Sequence, residues 1–237
     1  EDKKIENEIM EMAESLIKLK KAKACESYAG PVLIKAPASG AFISAVLVPM
    51  LKGDKKRWKE DEGVQKKIGE RILSSSISVY DDPTIKNYKR EVLAGYYRFD
   101  EEGVEAQRVS LIEKGVLENF LLSRSPVKGF DKSNGHGRAD VGQKPEADIG
   151  NLIMESSSPQ SFAALKRRLI KECKKQGKPY GLLIVSARLH ENKKEDSQKE
   201  RIPVLRGFEP IEVYKVYSNG KEEIVRGAQV LAGTPLA

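Results

Sequence analysis

Histidine and cysteine are scarce: two of each occur in 237 residues. Cys25 and Cys173 have no ligand-type neighbours, and neither sits in a Cys-x-x-Cys. That spacing excludes a cysteine-rich zinc module and fits two unpaired thiols in a reducing compartment; a single disulfide between them stays open. Aromatic residues make up only 6%, so the core must be built from Leu, Ile, Val and Ala. The longest apolar run, residues 41–51, is too short to span a bilayer and contains Pro49, which excludes a transmembrane helix. Ser74-Ser75-Ser76, Ser78 and Ser156-Ser157-Ser158 lack a G-x-S-x-G elbow, leaving a serine nucleophile unsupported. No internal repeat is visible. The chain opens Glu1-Asp2-Lys3-Lys4 with no initiator Met and no signal peptide. A fragment or processed form is expected, and a cytoplasmic location.

What is present is charge of both signs. Charged residues are 32% and hydrophobic residues 39%, a globular balance sufficient for one large domain or two small ones. The net charge is +7, from 42 basic and 35 acidic residues. Nucleic-acid binding needs positive charge gathered on one face, and the signs here are interspersed.

Along the chain, residues 4–24 carry Ile5, Ile9, Met12, Ala13, Leu16, Ile17 and Leu19 at helical spacing. Residues 31–36 form a short buried strand, and Ser39 is placed to cap a helix over 40–51. A charged loop with Trp58 follows, then a short helix over 64–72. From Ile77 the pattern becomes strand-like: 78–80, 92–99, 106–112 and 116–122, joined by turns at 99–103 and 112–115. Residues 123–145 form a long polar loop, a length that points to disorder or function. Ser158-Pro159 opens a helix to about Gln176 with a core face of Phe162, Leu165, Leu169 and Ile170, closed by Gly177. Its other face is basic: Lys166, Arg167, Lys171, Lys174 and Lys175. A strand over 180–189, a charged loop over 192–201, and a hairpin of 210–217 with 223–230 about Ser218-Asn219-Gly220 complete the chain. The expected class is α+β: mainly antiparallel sheet, able to curl into a barrel, with a few packing helices.

Several pieces, in order, resemble the C-terminal part of the TldD/PmbA family, metallopeptidase-related proteins of bacteria and archaea once named as DNA gyrase modulators. They are Asp81-Asp82-x-Thr84, Phe99-Asp100-Glu101-Glu102-Gly103 and Gln107-Arg108-x-x-Leu111-Ile112-Glu113-x-Gly115-Val116-Leu117. Gly135-His136-Gly137-Arg138, Asn219-Gly220-Lys221 and Val225-Arg226-Gly227-Ala228-x-Val230-Leu231-x-Gly233 follow. The resemblance covers most of 31–233. It implies an N-terminal helix over 1–30, a remnant of a preceding domain, and a TldD/PmbA-like domain over 31–237.

In active members, the resemblance implies, a helix ending in Gly-Asp carries His-Glu and then a second His: two zinc ligands and a general base. Anchored on Gly53-Asp54, those positions hold Ser44, Ala45 and Pro49 here. Serine is a poor zinc ligand, alanine has no base and proline has no donor atom. The family's third ligand is a Cys beyond the equivalent of Ala237. The expectation is therefore no catalytic residue, no bound metal and no cofactor, zinc belonging to the active members.

His136, His190, Cys173 and Asp140 offer no ligand spacing beyond Asp140 following His136, and the His136 ring is expected in a solvated or substrate-side position. Ser133, Asn134, Gly135, His136, Gly137 and Arg138 are the expected substrate-binding loop. The function implied is a catalytically degenerate homologue that takes part in proteolytic processing by binding a peptide or unfolded segment. It would assemble as a homo- or hetero-oligomer with a TldD/PmbA-type subunit, away from membranes. Strand-edge pairing is the physical means of holding an extended peptide. The alternatives are an active zinc metallopeptidase with other ligands, and a basic nucleic-acid-binding, gyrase-related domain.

Overall fold

A computed structural model describes residues 2–53, 67–189, 205 and 207–231. Two compact units emerge, one from 1–45 with 160–235, the other essentially 46–159. In chain order the elements are α1 (Asp2–Lys21), β1 (Lys23–Ala24), β2 (Val32–Ile34), α2 (Ala38–Val46), α3 (Val48–Leu51), β3 (Ile77–Asp81), β4 (Asn87–Tyr88), β5 (Glu91–Val92), β6 (Val109–Glu113), β7 (Val116–Leu117), β8 (Gly137–Arg138), β9 (Glu146–Ala147), β10 (Leu152–Ser156), α4 (Phe162–Lys175), β11 (Tyr180–Leu189), β12 (Phe208–Tyr217) and β13 (Glu222–Arg226). The class is α+β as expected. Among the described residues no sheet closes into a barrel.

The first unit is a five-stranded mixed sheet in the order β1-β13-β12-β11-β2. β1 and β2 join its edges in parallel, and the centre is antiparallel. Its interior strand β11 reads Leu182-Leu183-Ile184-Val185 without alternation because both faces are covered. Leu182 and Ile184 point into a cluster with Ala38, Phe208, Val213 and Val225, against which Ala41, Phe42 and Ala45 of α2 pack. Leu183 points the other way, with Val216, onto Leu169 and Cys173 of α4. Gly181 is where α4 comes closest: an added Cβ would lie 2.7 Å from Leu169 Cδ1 and 2.8 Å from Cys173 Sγ. Gly181→Ala should cost about 1–3 kcal/mol by overpacking, read as a lower denaturation midpoint.

α4 begins three residues later than Ser158-Pro159, because Ser161 supplies the cap: its Oγ accepts from Ala164 N at 3.3 Å. Ser161→Ala should cost about 1 kcal/mol in thermal stability. Gly177 closes the helix at φ 62°. Phe162 is not a core residue; it is 42% exposed, with Lys35 Nζ 5.5 Å from its ring centre. Cys173, one turn beyond Leu169, takes the buried place instead.

The second unit holds a four-stranded antiparallel sheet, β10-β3-β6-β7, and two small ribbons, β4-β5 and β8-β9. Val79, Leu111, Ile112, Phe120 and Leu121 are fully buried in it. The β6–β7 turn is the two-residue Lys114-Gly115 link, both residues at positive φ (46° and 82°), as a right-twisted hairpin demands.

Three expectations change. The single helix expected over 40–51 starts at Ala38 and breaks at Leu47, because Pro49 cannot donate a helical N–H; α3 restarts with proline in its first turn. Lys67 is in a 3-10 helix, but no helix continues over 68–72, where Arg71 instead bridges to Val116; residues 64–66 lie outside the described residues, as do Trp58 and the 192–201 loop. The long strand expected over 92–99 is only β5 and one bridge, Phe99 to Glu105. There side chains take the place of a ladder: Asn151 Oδ1 accepts from Gly95 N at 2.9 Å, and Asp100 Oδ1 accepts from Glu102 N and Val104 N.

Candidate functional site: a buried carboxylate hub and an open strand edge

Asp81 ends β3 with its side chain fully buried. One oxygen, Oδ1, accepts from Gly150 N at 3.0 Å and Asn151 N at 3.1 Å, and lies 3.1 Å from His136 Nε2. Its other oxygen is buried without a partner. His136 is also fully buried, and its Nδ1 lies 2.8 Å from the Asn134 carbonyl. A carbonyl accepts, and so does a carboxylate oxygen that already takes two backbone N–H groups; both ring nitrogens face acceptors, and bonding both takes a proton on each. The solvated His136 expected from sequence is corrected: the ring is an internal tie between the Gly-rich loop and the end of β3.

The rest of that loop is held just as tightly. Asn134 donates from Nδ2 to Phe120 O at 2.7 Å and accepts from Leu122 N at 2.8 Å. Ser133 Oγ donates to Leu122 O and accepts from Gly135 N. Asp100 Oδ2 accepts from Gly137 N at 2.9 Å. Arg138 pairs with Glu101 at 3.1 Å and lies over the Tyr97 ring at 4.2 Å, while one guanidinium nitrogen is buried without a partner. Tyr97 in turn donates to Gly135 O at 2.8 Å. Sequence reasoning marked the loop but not the side chains that tie it down, Asp81, Tyr97 and Asp100. Their signal was the paired Asp81-Asp82 before Pro83 and the Asp100 turn, acidic residues at places where a chain reverses.

Burial pushes the Tyr97 phenol up to about 12, against an opposing pull from Arg138. Tyr214 is likewise pushed up to about 12, by burial and then by Glu212. The unfolded phenols ionise first, so above pH 10 the folded state holds more protons and stability falls as pH rises toward 12. Tyr97→Phe should flatten that fall, measured as denaturation midpoints across the alkaline range.

Beside the loop runs a shallow groove of about 690 Å³, lined by Gln107, Arg108, Val109, Ser110, Glu113, Glu118, Asn119 and Asn134. β7 pairs only with Ile112 and Glu113 of β6, and Glu118 N and Asn119 N take the Leu111 carbonyl. Among the described residues no strand lies alongside Val109 and Ser110 on that side. Of the six loop residues expected to bind substrate, Asn134 reaches this groove. The Arg108 guanidinium is braced on the Tyr80 ring at 4.0 Å.

The positions that the sequence resemblance sets against the zinc ligands and base carry side chains that do not fit a metal. Ser44 and Ala45 lie on α2, where Ala45 packs into the apolar cluster, and Pro49 lies in α3. Among the described residues no three His, Cys, Asp or Glu side chains converge on a point where a metal could sit. His136 is engaged at both nitrogens, Asp140 is exposed, and His190 lies outside the described residues. The basic face of α4 is partly neutralised by Lys166–Glu222 and Lys175–Glu172 pairs. Among the described residues no helix is long and apolar enough to cross a membrane.

A two-unit α+β scaffold with a carboxylate-anchored Gly-rich loop and donor-poor helix is thus the class defined by the geometry. Residues 27–193 match the PmbA/TldA metallopeptidase C-terminal domain, and the chain belongs to that family. It is 31% identical over 150 residues to a metalloprotease of Methanocaldococcus jannaschii, covering 63% of this chain and 32% of the relative. A TldD homologue of Haemophilus influenzae, described as a metalloprotease, is 31% identical over 111 residues, 46% of this chain and 22% of the relative. The chain therefore spans about a third or less of the length of these relatives. Two solved structures share the fold. TldE from Thermococcus kodakarensis has a TM-score of 0.61 at 18% identity, covering 96% of this chain and 46% of that one. A Thermotoga maritima protein described as a candidate modulator of a DNA gyrase has a TM-score of 0.57 at 23% identity, covering 89% and 43%.

Proposed function

We propose that this chain is a catalytically silent TldD/PmbA-type subunit that holds an extended peptide along the free edge of β6, working with a second subunit of the same family in peptide processing. The observation that carries the reading is that Ser44, Ala45 and Pro49, ahead of Gly53-Asp54, offer one weak donor and no base where the resemblance would set two zinc ligands and a general base. The binding half of the reading is supported by the groove beside Val109 and Ser110, where among the described residues no strand pairs on that side of β6. Loop 133–138 would form one wall through Asn134, its buried bonds keeping that wall rigid. Affinity would come from backbone bonds, with little demand on peptide sequence.

The test is fluorescence anisotropy with a labelled, unstructured peptide. Ser110 is exposed on β6, so Ser110→Trp should fill the groove and weaken binding about tenfold or more, without moving the denaturation midpoint. Equal binding by Ser110→Trp would remove the β6 edge from the account.

A further inference from the structure

The groove beside β6 carries opposite charge at its two ends. Arg108 stands just before β6 opens at Val109, and Glu113 closes the strand. Glu118 is folded back to the acidic end, where its N–H bonds the Leu111 carbonyl at 2.9 Å. All three side chains line the groove and are exposed. A bulge puts them on one face: Tyr80 pairs with Ser110 and Val79 with Ile112, so Leu111 is an extra residue, and Arg108, Ser110 and Glu113 all point outward. Other charges of the same unit are met within the chain, Arg138 by Glu101 and Lys52 by Asp148. Among the described residues, Arg108, Glu113 and Glu118 have no side chain of opposite charge within ion-pair distance. Arg108 stacks by its face on Tyr80, which steadies the guanidinium and leaves its edge donors for a ligand.

We propose that these charges fix the direction in which the groove takes a peptide: antiparallel to β6, with a basic side chain first and an acidic side chain two residues later. This rests on the reading that an extended peptide pairs with β6, and adds a polarity to it. β7 runs antiparallel to β6 and stops at Leu117, opposite Ile112, so Val109 and Ser110 lie open in line with it. A peptide that continues this line keeps the antiparallel pattern, the slightly more stable of the two. Its residue opposite Ser110 then sits diagonal to the acidic end, a span of about 7–8 Å that Lys or Arg reaches. Alternate residues share a face, so the residue two further along stands opposite Arg108. Backbone bonds supply the affinity, and the charges choose the direction. Reversed, the peptide would set its base against Arg108 and its acid against Glu113 and Glu118.

The test is anisotropy at low salt with two labelled peptides of one composition, acetylated and amidated, in an uncharged Ser/Thr/Gln background. One carries Lys-x-Glu and the other Glu-x-Lys. Both are neutral overall, so general attraction to a chain of net charge +7 does not separate them. Lys-x-Glu should bind about fivefold tighter, the difference between two exposed ion pairs and two like-charge contacts. High salt should close the gap. Arg108→Gln should narrow it, and Arg108→Glu combined with Glu113→Lys and Glu118→Lys should reverse the order. Equal affinities, tighter binding of Glu-x-Lys by the unmodified chain, or an order that survives the triple charge swap overturns the proposal. Ser110→Trp keeps the two readings separable. Peptides that bind alike, yet both lose affinity in Ser110→Trp, sink only the polarity; binding that ignores Ser110→Trp sinks the groove with it.

Discussion

His136→Ala should lower the stability of the protein by about 3–5 kcal/mol, the usual cost of removing one partner from a buried ionisable pair. Asp81 Oδ1 would lose one of the three groups it bonds, in a site where the second oxygen has none. The loss should not be confined to one contact. His136 also bonds the Asn134 carbonyl, and Asp148 N bonds the His136 carbonyl, so loop 133–138 and β9 depend on the same residue staying in place. His136→Gln, which keeps a side-chain donor of similar reach, should recover part of the loss. Equilibrium denaturation reads both variants, and a cost under about 1 kcal/mol for His136→Ala would show that the pair is not the anchor described.

Phe120→Ala should cost about 3–5 kcal/mol for a different reason, the cavity left by a fully buried ring. The ring stands edge-on to Phe130, with centroids 6.0 Å apart. The Phe120 backbone is also one of the two points that hold Asn134. Phe120→Leu keeps most of the volume and should cost much less. If Phe120→Ala also weakens peptide binding at temperatures where the protein remains folded, the groove wall depends on the packing beneath it. That follows from Asn134 lining the groove while bonded to Phe120 and Leu122.

Much of the scaffold was legible because it rests on local signals. The Lys114-Gly115 and Asn219-Gly220 turns carry their conformation in residue type, and β11 announces double burial by its unbroken apolar run. The parts that were not legible are long-range. Nothing near Phe162 tells that Cys173 takes the core in its place; that is decided by Gly181 lying opposite. Residues 92–99 have a strand's composition, yet Asn151, more than fifty residues on, captures Gly95 N and replaces the ladder. The candidate site divides in the same way. Its negative half, the expectation at Ser44, Ala45 and Pro49, rests on residue type alone, since a missing donor is visible there without a fold. Its positive half could not. The motif around His136 marked the loop, but only the fold shows that the ring turns inward to Asp81 and that Asn134 is the residue left facing the groove.

The central claim is that this family member binds peptide without cutting it. The most direct measurement is mass spectrometry of an unstructured peptide incubated with the protein and excess zinc, at a concentration where anisotropy shows the peptide bound. The expected result is intact peptide, unchanged by zinc. Cleavage products that need zinc and disappear with a chelator would contradict the account, and would mean that ligands other than those at Ser44, Ala45 and Pro49 complete a working site.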